Sequence, residues 1–196
     1  MPTGVHIRDA RKQLFDAAER ILLREGPNAL TSRAVTTEAG CAKGVLHKHF
    51  TDFDTFLAEF VLDRLNQMTP EAETLHEKAG TDTIANNITT ALTALFNSVA
   101  VAIVPLITFR DELRTRLRDT WPAGVPVLTD AVAIIEAYLS AEQGQGRIKI
   151  TADIATLAVT LIGATHLLYA DKNTPQTENA VHKMVTTVLA GATQTP

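Results

Sequence analysis

The sequence contains little cysteine, few aromatic side chains and no excess of positive charge. Its single cysteine excludes an internal disulfide, and aromatic residues make up only 5% of the 196 residues. No uninterrupted apolar run approaches the ~20 residues that a membrane-spanning helix requires. The first residues also lack the basic-then-apolar pattern of a secretion signal. We therefore expect a soluble, cytoplasmic protein that does not bind a membrane.

The net charge of −4 gives no general attraction to nucleic acid, but the charge is unevenly distributed. Residues 1–65 contain nine Lys and Arg and nine Asp and Glu, whereas the remainder contains nine basic and 13 acidic residues. The acidity thus belongs to the C-terminal part, and a neutral N-terminal part can still present a local basic face. The apolar fraction of 45% is sufficient for a sizeable core.

Apolar residues recur at helical spacing throughout the chain, without sustained strand-like alternation, so the sequence predicts an all-α fold. Thr31 or Ser32 is placed to cap a second helix and Asp52 to cap a fourth, while Gly26-Pro27 and Gly40 end the first and second. The first four predicted helices span about 7–25 (from Ile7 to Glu25), 32–39, 42–49 and 52–68.

Longer apolar-periodic segments follow a polar stretch, which brings the predicted total to about nine helices. Breaks rich in proline and glycine separate them, at Pro105, 121–124, 144–146 and 173–175. The predicted segments span about 82–104, 107–119, 125–142, 152–170 and 177–190. We expect a three-helix head at 1–50 with a connecting helix at 52–68, and a larger helical bundle at 69–196.

The segment 31–50, TSRAVTTEAGCAKGVLHKHF, is typical of a helix-turn-helix: a short helix, a glycine turn and a second short helix with small and basic residues outward. The second helix of this motif lies in the major groove of DNA. Lys43 and Lys48 can then meet phosphates, and Gly44 lets the backbone approach base edges. Val45 is suited to a thymine methyl group. Solvated helix surface is the alternative interpretation of the two lysines.

The start of the preceding short helix offers further contacts to DNA. Arg33 can reach a phosphate or a guanine edge, and the exposed amides there, with the Thr31 hydroxyl, suit a backbone phosphate. The whole segment therefore predicts a DNA-binding surface.

Residues around this segment resemble the TetR family of bacterial repressors over about Leu14 to Leu62. The residues that carry the resemblance are Ala17-Ala18, Glu25-x-Gly, Leu30-Thr31, Ala39-Gly40, Lys43-Gly44, Leu46 and His49-Phe50. The resemblance implies phosphate contacts at Thr31, His47, Lys48 and His49, and base contacts near Arg33, Lys43 and Val45. The candidate DNA-binding residues are Thr31, Ser32, Arg33, Lys43, Gly44, Val45, His47, Lys48 and His49.

Four positions depart from the family pattern. The family usually has a small polar residue at Ala42, Thr or Ser at Val45, Tyr at His47 and Lys at Phe53. Loss of a cap hydroxyl at Ala42 costs helix stability on the order of 1 kcal/mol, and the absent lysine at Phe53 removes one phosphate partner. These departures motivate an alternative: a regulator-derived helical dimer that has lost specific DNA binding and acts through a protein partner.

A metal site or an enzyme is disfavoured by the residue pattern. His47 and His49 do not face one another on a helix, and Cys41 has no second cysteine as companion. Cys41 fits a small apolar position where the family usually has Val. No glycine-rich phosphate loop, metal-ligand cluster or nucleophile–base pair can be assigned. We therefore expect a protein that is not an enzyme and needs no cofactor.

The C-terminal part is expected to hold a small apolar or amphipathic effector, and its last two long helices to form a homodimer, as the resemblance implies. Candidate pocket residues are Phe96, Val99, Ile103, Phe109, Leu113, Trp121, Tyr138, His166 and Tyr169. Each of these side chains could equally belong to an ordinary core, and His166 fits a structural role. The arginines at 110, 114, 116 and 118 are interpreted as solvated helix surface. A two-fold dimer requires recognition helices about 34 Å apart and a palindromic operator.

Overall fold

The computed structural model describes residues 9–122, 124–170 and 177–194. These residues form eleven α-helices and one short 3-10 helix, with a single isolated bridge between Ile148 and Thr193 and no strand. The all-α prediction is confirmed. The helices are α1 (Ala10–Glu25), α2 (Ser32–Glu38), α3 (Val45–His49), α4 (Phe53–Asn66), α5 (Thr69–Glu77), α6 (Ile84–Phe96), α7 (Val99–Thr108), α8 (Asp111–Leu117), α9 (Pro126–Gly144), α10 (Ile154–Ala170) and α11 (Glu178–Leu189).

The described residues fall into two compact units. The first lies within 1–64 and 102–123, and the second within 65–101 and 124–196. The head is thus grouped with α8 and most of α7, a segment that the predicted boundary after residue 68 assigns to the C-terminal part. The first unit is consequently discontinuous in sequence.

The core of the first unit is built on the apolar face of α1. Leu14, Ala18, Ile21 and Leu22 are all buried, as the helical spacing predicts. Ala17 is buried as well, and its small side chain lets neighbouring helices approach closely. A cluster of phenylalanine rings with centroids 5.0–5.7 Å apart extends this core, formed by Phe15, Phe50 and Phe56.

Polar side chains fix the helix starts of the first unit. The Asp9 carboxylate accepts a hydrogen bond from the Lys12 amide, Thr31 Oγ1 accepts one from the Ala34 amide, and Asp52 Oδ1 accepts one from the Thr55 amide. The predicted caps of α2 and α4 are therefore confirmed. The turn after α2 places Gly40 at φ +64°, a left-handed conformation that favours glycine. The predicted start of the first helix at Ile7 lies outside the described residues.

Some predicted helix boundaries are wrong. The segment 82–104 is divided at Asn97-Ser98, where Ser98 Oγ accepts a hydrogen bond from the Ala100 amide and so caps α7. Pro105, predicted to separate two helices, lies inside α7. The polar stretch before residue 82 also forms α5, with a proline in its first turn, where the missing amide proton costs nothing.

The second unit packs α6, α9, α10 and α11 around one apolar cluster, with α5 alongside. Near the C-terminal end of α9 this core contains a polar network. Tyr138 donates a hydrogen bond to Glu142 Oε1 (2.5 Å) and accepts one from Asn87 Nδ2 (3.1 Å). Arg147 Nη1 lies 3.1 Å from Glu142 Oε2, so the fully buried carboxylate is paired. Burial raises the pKa of the Tyr138 hydroxyl, which stays protonated and donates.

Within the described residues, no single helix is both long and apolar enough to cross a membrane. One bent pair, α6 with α7, meets the requirement by length and composition only.

Candidate nucleic-acid interface

Helices α2 and α3 form the predicted helix-turn-helix motif, and their inner faces fix its orientation on α1. Val35 and Leu46 are fully buried and supply the apolar contacts of α2 and α3. The Thr36 hydroxyl is buried too, and it donates to the Ser32 and Arg33 carbonyls at 3.0 and 3.1 Å. The three buried side chains of the motif are therefore apolar or hydrogen-bonded, and its other side chains are exposed or half-buried.

The turn between α2 and α3 is closed by the backbone. The Cys41 amide donates to the Thr36 carbonyl at 3.0 Å, and the Val45 amide donates to the Ala42 carbonyl at 2.9 Å. The second helix of the motif begins at Val45, so the predicted start at Ala42 is wrong, and no side chain caps the helix. Ala42 has no hydroxyl with which to cap a helix that begins there.

The candidate DNA-binding residues are distributed along the outer surface of this motif. Exposed members are Thr31, Arg33, Lys43, Gly44, His47, Lys48 and His49, while Ser32 and Val45 are half-buried. Within the described part of the chain, no side-chain partner binds the cationic groups of Arg33, Lys43 or Lys48. These three positive charges are therefore available to an anionic partner.

A single carboxylate lies at the end of α2, and two arginines of α1 neutralise it. Glu38 accepts from Arg20 Nε at 2.7 Å and from Arg24 Nη2 at 3.0 Å. These hydrogen bonds hold the pKa of Glu38 below its usual value. An open cleft of about 540 Å³ extends from this cluster to the start of α2, with Thr31 and Arg33 on its wall. Glu38 thus does not cancel the charge of Arg33.

Arg11 fastens the end of α3 to α1. Its guanidinium lies 4.5 Å from the centre of the Phe50 ring and donates to the His49 carbonyl at 3.5 Å. It also forms an ion pair with Glu59 of α4. These contacts hold the last turn of α3, which carries His47, Lys48 and His49 outward.

The residues considered for zinc do not assemble. His47 and His49 are exposed, Cys41 is half-buried, and burial raises the pKa of the Cys41 thiol. Throughout the described ranges, no group of three or more His, Cys, Asp or Glu side chains could hold a metal ion.

The candidate effector-pocket residues are divided between the two units. Ile103, Phe109, Leu113 and Trp121 lie in the first unit, and Phe96, Val99, Tyr138, His166 and Tyr169 lie in the second. Phe109 is 81% exposed, so it lines no enclosed space here. Tyr138 uses its hydroxyl in the network with Glu142.

Three of these residues come together between α6 and α10. The Phe96 ring lies 5.3 Å from that of Tyr169 and 6.3 Å from that of His166, centre to centre. His166 Nδ1 and the Tyr169 hydroxyl are shielded from solvent and have no hydrogen-bond partner among the described residues. A buried polar atom is normally satisfied, so these atoms call for a partner. The pocket assignment itself stays a prediction.

Two arginines of the charged run contact residues of the head. Arg110 Nη2 donates to the Leu30 carbonyl at 3.1 Å, and Arg116 Nη2 donates to Asp52 Oδ2 at 2.8 Å. The interpretation as solvated helix surface holds for the exposed Arg116, but it is wrong for the half-buried Arg110. No local sequence pattern predicts these contacts, because the partners lie 80 and 64 residues away in the chain.

The model of the family described as bacterial regulatory proteins, tetR family, matches residues 14–59. No curated protein sequence is significantly similar to this chain.

Solved structures share the fold over nearly the whole chain. The reduced form of Escherichia coli NemR is 12% identical, covers 94% of this chain and 97% of its own, and has a TM-score of 0.71. A TetR-family regulator from Rhodococcus sp. is 17% identical, with 95% and 99% covered and a TM-score of 0.67. NalD, the secondary repressor of the MexAB-OprM multidrug efflux pump in Pseudomonas aeruginosa, is 17% identical, with 95% and 96% covered and a TM-score of 0.62.

Proposed function

We propose, from the premise that residues 14–59 form an N-terminal domain of the TetR family, that this chain is a ligand-responsive repressor that binds a palindromic operator as a homodimer. The observation that carries the proposal is the outer surface of α2 and α3. Arg33, Lys43 and Lys48 are exposed there without an internal partner among the described residues, whereas Leu46 alone of α3 is buried. Such a surface suits the phosphates and base edges of duplex DNA.

The side chains divide into two roles on this surface. Lys48, His47, His49 and Thr31 bind backbone phosphates and set the register of the protein on the duplex. Arg33, Lys43 and Val45 lie nearest the bases, where arginine and lysine prefer guanine O6 and N7 and an apolar side chain fits the thymine methyl. Gly44 and Ser32 leave room for close approach of the backbone.

The dimer is proposed to form through α10 and α11. The 17 residues of α10 include no Asp, Glu, Lys or Arg. Its exposed side carries Ala155, Val159, Gly163 and Leu167 at four-residue spacing, with Val159 58% and Leu167 75% exposed. A small residue within an apolar ridge allows two helices to approach closely, so a second copy of α10 is a fitting partner.

The effector is proposed to bind in the second unit near Phe96, His166 and Tyr169. The aromatic faces suit an apolar body, and the unpartnered His166 Nδ1 and Tyr169 hydroxyl suit a polar group on it.

Effector and operator binding are proposed to oppose one another. A shift of α4 on effector binding changes the spacing of the two heads, and reciprocal linkage then makes the DNA-bound protein bind the effector more weakly. Switching a population from 1:99 to 99:1 needs about 5.5 kcal/mol of differential affinity between the two states.

The test is selection of bound duplexes from a random DNA pool, with native protein and with the variant Lys43→Ala/Lys48→Ala. We expect a palindrome with half-sites about one helical turn apart to be enriched by the native protein and lost by the variant. Arg114→Ala is the matched control, because Arg114 is bound within its own helix region by Asp111 and the Thr108 carbonyl. It removes a positive charge but should enrich the same palindrome.

The second candidate function is a helical dimer that acts on a protein partner. The uncapped start of α3 and the half-buried Phe53, where the family usually has lysine, favour it. If neither the native protein nor the control enriches a sequence, the result supports this candidate. Sequence-specific binding with a steep salt dependence would exclude it.

A further inference from the structure

Helix α8 lies against the head through one face. Leu113 and Leu117 are buried, and they share this face with Arg110 and Arg116 at helical spacing. All of these residues and their partners belong to the first unit. The two arginines therefore reach the head from either end of an apolar contact.

Arg110 contacts the backbone at the start of α2. Its Nη2 donates to the carbonyl of Leu30 at 3.1 Å, its Nη1 lies 3.7 Å from Asp54 Oδ1, and its guanidinium lies 5.6 Å from the centre of the Phe53 ring. Leu30 immediately precedes Thr31, the cap of α2. The hydrogen bond thus holds the peptide group that joins Leu30 to Thr31.

Arg116 contacts the start of α4 through two side chains. Asp52 uses Oδ1 to cap α4 through the Thr55 amide at 2.7 Å and Oδ2 to accept from Arg116 Nη2 at 2.8 Å. Arg116 Nη1 also donates to the Thr55 hydroxyl at 3.1 Å. The cap and the arginine therefore hold one another in place.

We infer that Arg110 is a positioning residue for operator binding, which holds the start of α2 without touching DNA. The inference rests on the proposed DNA-binding function. Arg110 acts through Leu30 on Thr31 and Arg33, whose side chains are the exposed ones at the start of α2.

The test measures affinity for the selected palindrome as a function of salt. Arg110→Ala should weaken binding by roughly tenfold, the loss expected for a charge-assisted hydrogen bond, at every salt concentration. The slope of log K against log salt should stay unchanged, because no phosphate contact is lost. Lys48→Ala, a phosphate contact, should lower the slope by about one.

Two further variants make the comparison specific. Arg110→Lys keeps a donor for the Leu30 carbonyl and should recover part of the lost affinity. Arg114→Ala removes the same charge from the same helix but only contacts within 108–114, so its affinity and slope should equal those of the native protein. A melting curve of each variant shows whether it is folded.

Hydrogen exchange supplies a readout without DNA. The Ala34 and Val35 amides donate to Thr31 Oγ1 and to the Thr31 carbonyl. Both amides should exchange faster in Arg110→Ala, while the amides of α10 should not change. Native affinity in Arg110→Ala, a slope lowered by about one, or unchanged exchange at Ala34 and Val35 would overturn the inference. Failure of the native protein to bind any duplex would instead refute the proposed function, and the exchange comparison would still decide the role of Arg110.

Discussion

Arg64 is the buried charge of the first unit, with a side chain that is only 4% exposed. It extends from α4 to α1, where its Nη2 lies 2.8 Å from Asp16 Oδ1 and its Nε lies 2.6 Å from Glu19 Oε2. Asp63 accepts from its Nη1 at 2.6 Å. Burying a guanidinium is costly unless carboxylates compensate it, so these acids and Arg64 form one interdependent group.

The variant Asp16→Asn should make the stability of the protein less dependent on pH. Burial raises the pKa of Asp16, but hydrogen bonds from Lys12 and Arg64 outweigh it, and the pKa lies below its usual value. A lowered pKa stabilises the folded state above the unfolded-state value of about 4 and loses that contribution as the pH falls through the folded-state value. The free energy of unfolding, measured in urea from pH 6 to pH 2.5, should therefore fall less steeply in the variant.

Asp119→Asn is the matched control for this comparison, because Asp119 is exposed on the short segment after α8. It should follow the native pH dependence. Parallel curves for the native protein and Asp16→Asn would contradict the role given to Asp16.

At the scale of elements, the sequence predicts a helix end well wherever one residue determines it. Thr31 and Asp52 cap α2 and α4 as expected, because a side-chain oxygen three residues before an amide needs only local geometry. Alanine cannot cap a helix, and α3 indeed begins at Val45 instead of the predicted Ala42, without a side-chain cap. The boundary predicted at Pro105 is wrong, because a proline in a sequence often marks a helix boundary but here lies inside α7. The actual boundary lies two turns earlier, where Ser98 caps the start of α7.

Contacts distant in sequence are not predictable in this way. The run that contains Arg110 and Arg116 has the composition of a solvated surface, and its partners in the head are found only after the chain has folded. Phe109 likewise has the composition of a pocket residue but is exposed at the end of α7. The candidate DNA-binding residues lie in one continuous stretch of sequence, whereas the residues of an effector pocket would have to come together from several stretches.

The exposed face of α10 should determine the oligomeric state. Val159→Lys places a charge in the proposed dimer contact, where it has no partner on α10, and should convert a dimer into monomers. Ala133→Lys puts the same charge on an exposed position of α9 and should leave the dimer intact. Sedimentation equilibrium distinguishes the two outcomes. A native protein that is monomeric, or a Val159→Lys variant that remains dimeric, would rule out this face.

At the scale of the whole molecule, the first unit is completed by residues that come some 40 positions after the head. Leu113 and Leu117 are buried in that unit, and Arg110 covers the Leu30 carbonyl. A fragment of residues 1–68 therefore lacks part of its own core.

Such a fragment should be clearly less stable than the same residues in the full chain. Removal of two buried leucines alone costs about 2–5 kcal/mol each by the measure of large-to-small substitutions. The melting transition of the 1–68 fragment, followed by circular dichroism, should be broad and lie at lower temperature. The full chain with Leu113→Ala provides a milder version of the same loss, and a sharp, native-like transition in the fragment would contradict this account.

The discontinuity of the first unit has a consequence for protein engineering. A head transplanted from another protein onto this C-terminal part, joined at residue 64, would meet Arg110 and Arg116 with foreign residues at positions 52 and 54. Without carboxylates at these two positions both ion pairs would be lost, whereas the hydrogen bond from Arg110 to the backbone carbonyl of residue 30 does not depend on the residue type there. A hybrid that keeps these ion pairs therefore requires two exchanged segments, the head and α8, to be transferred together.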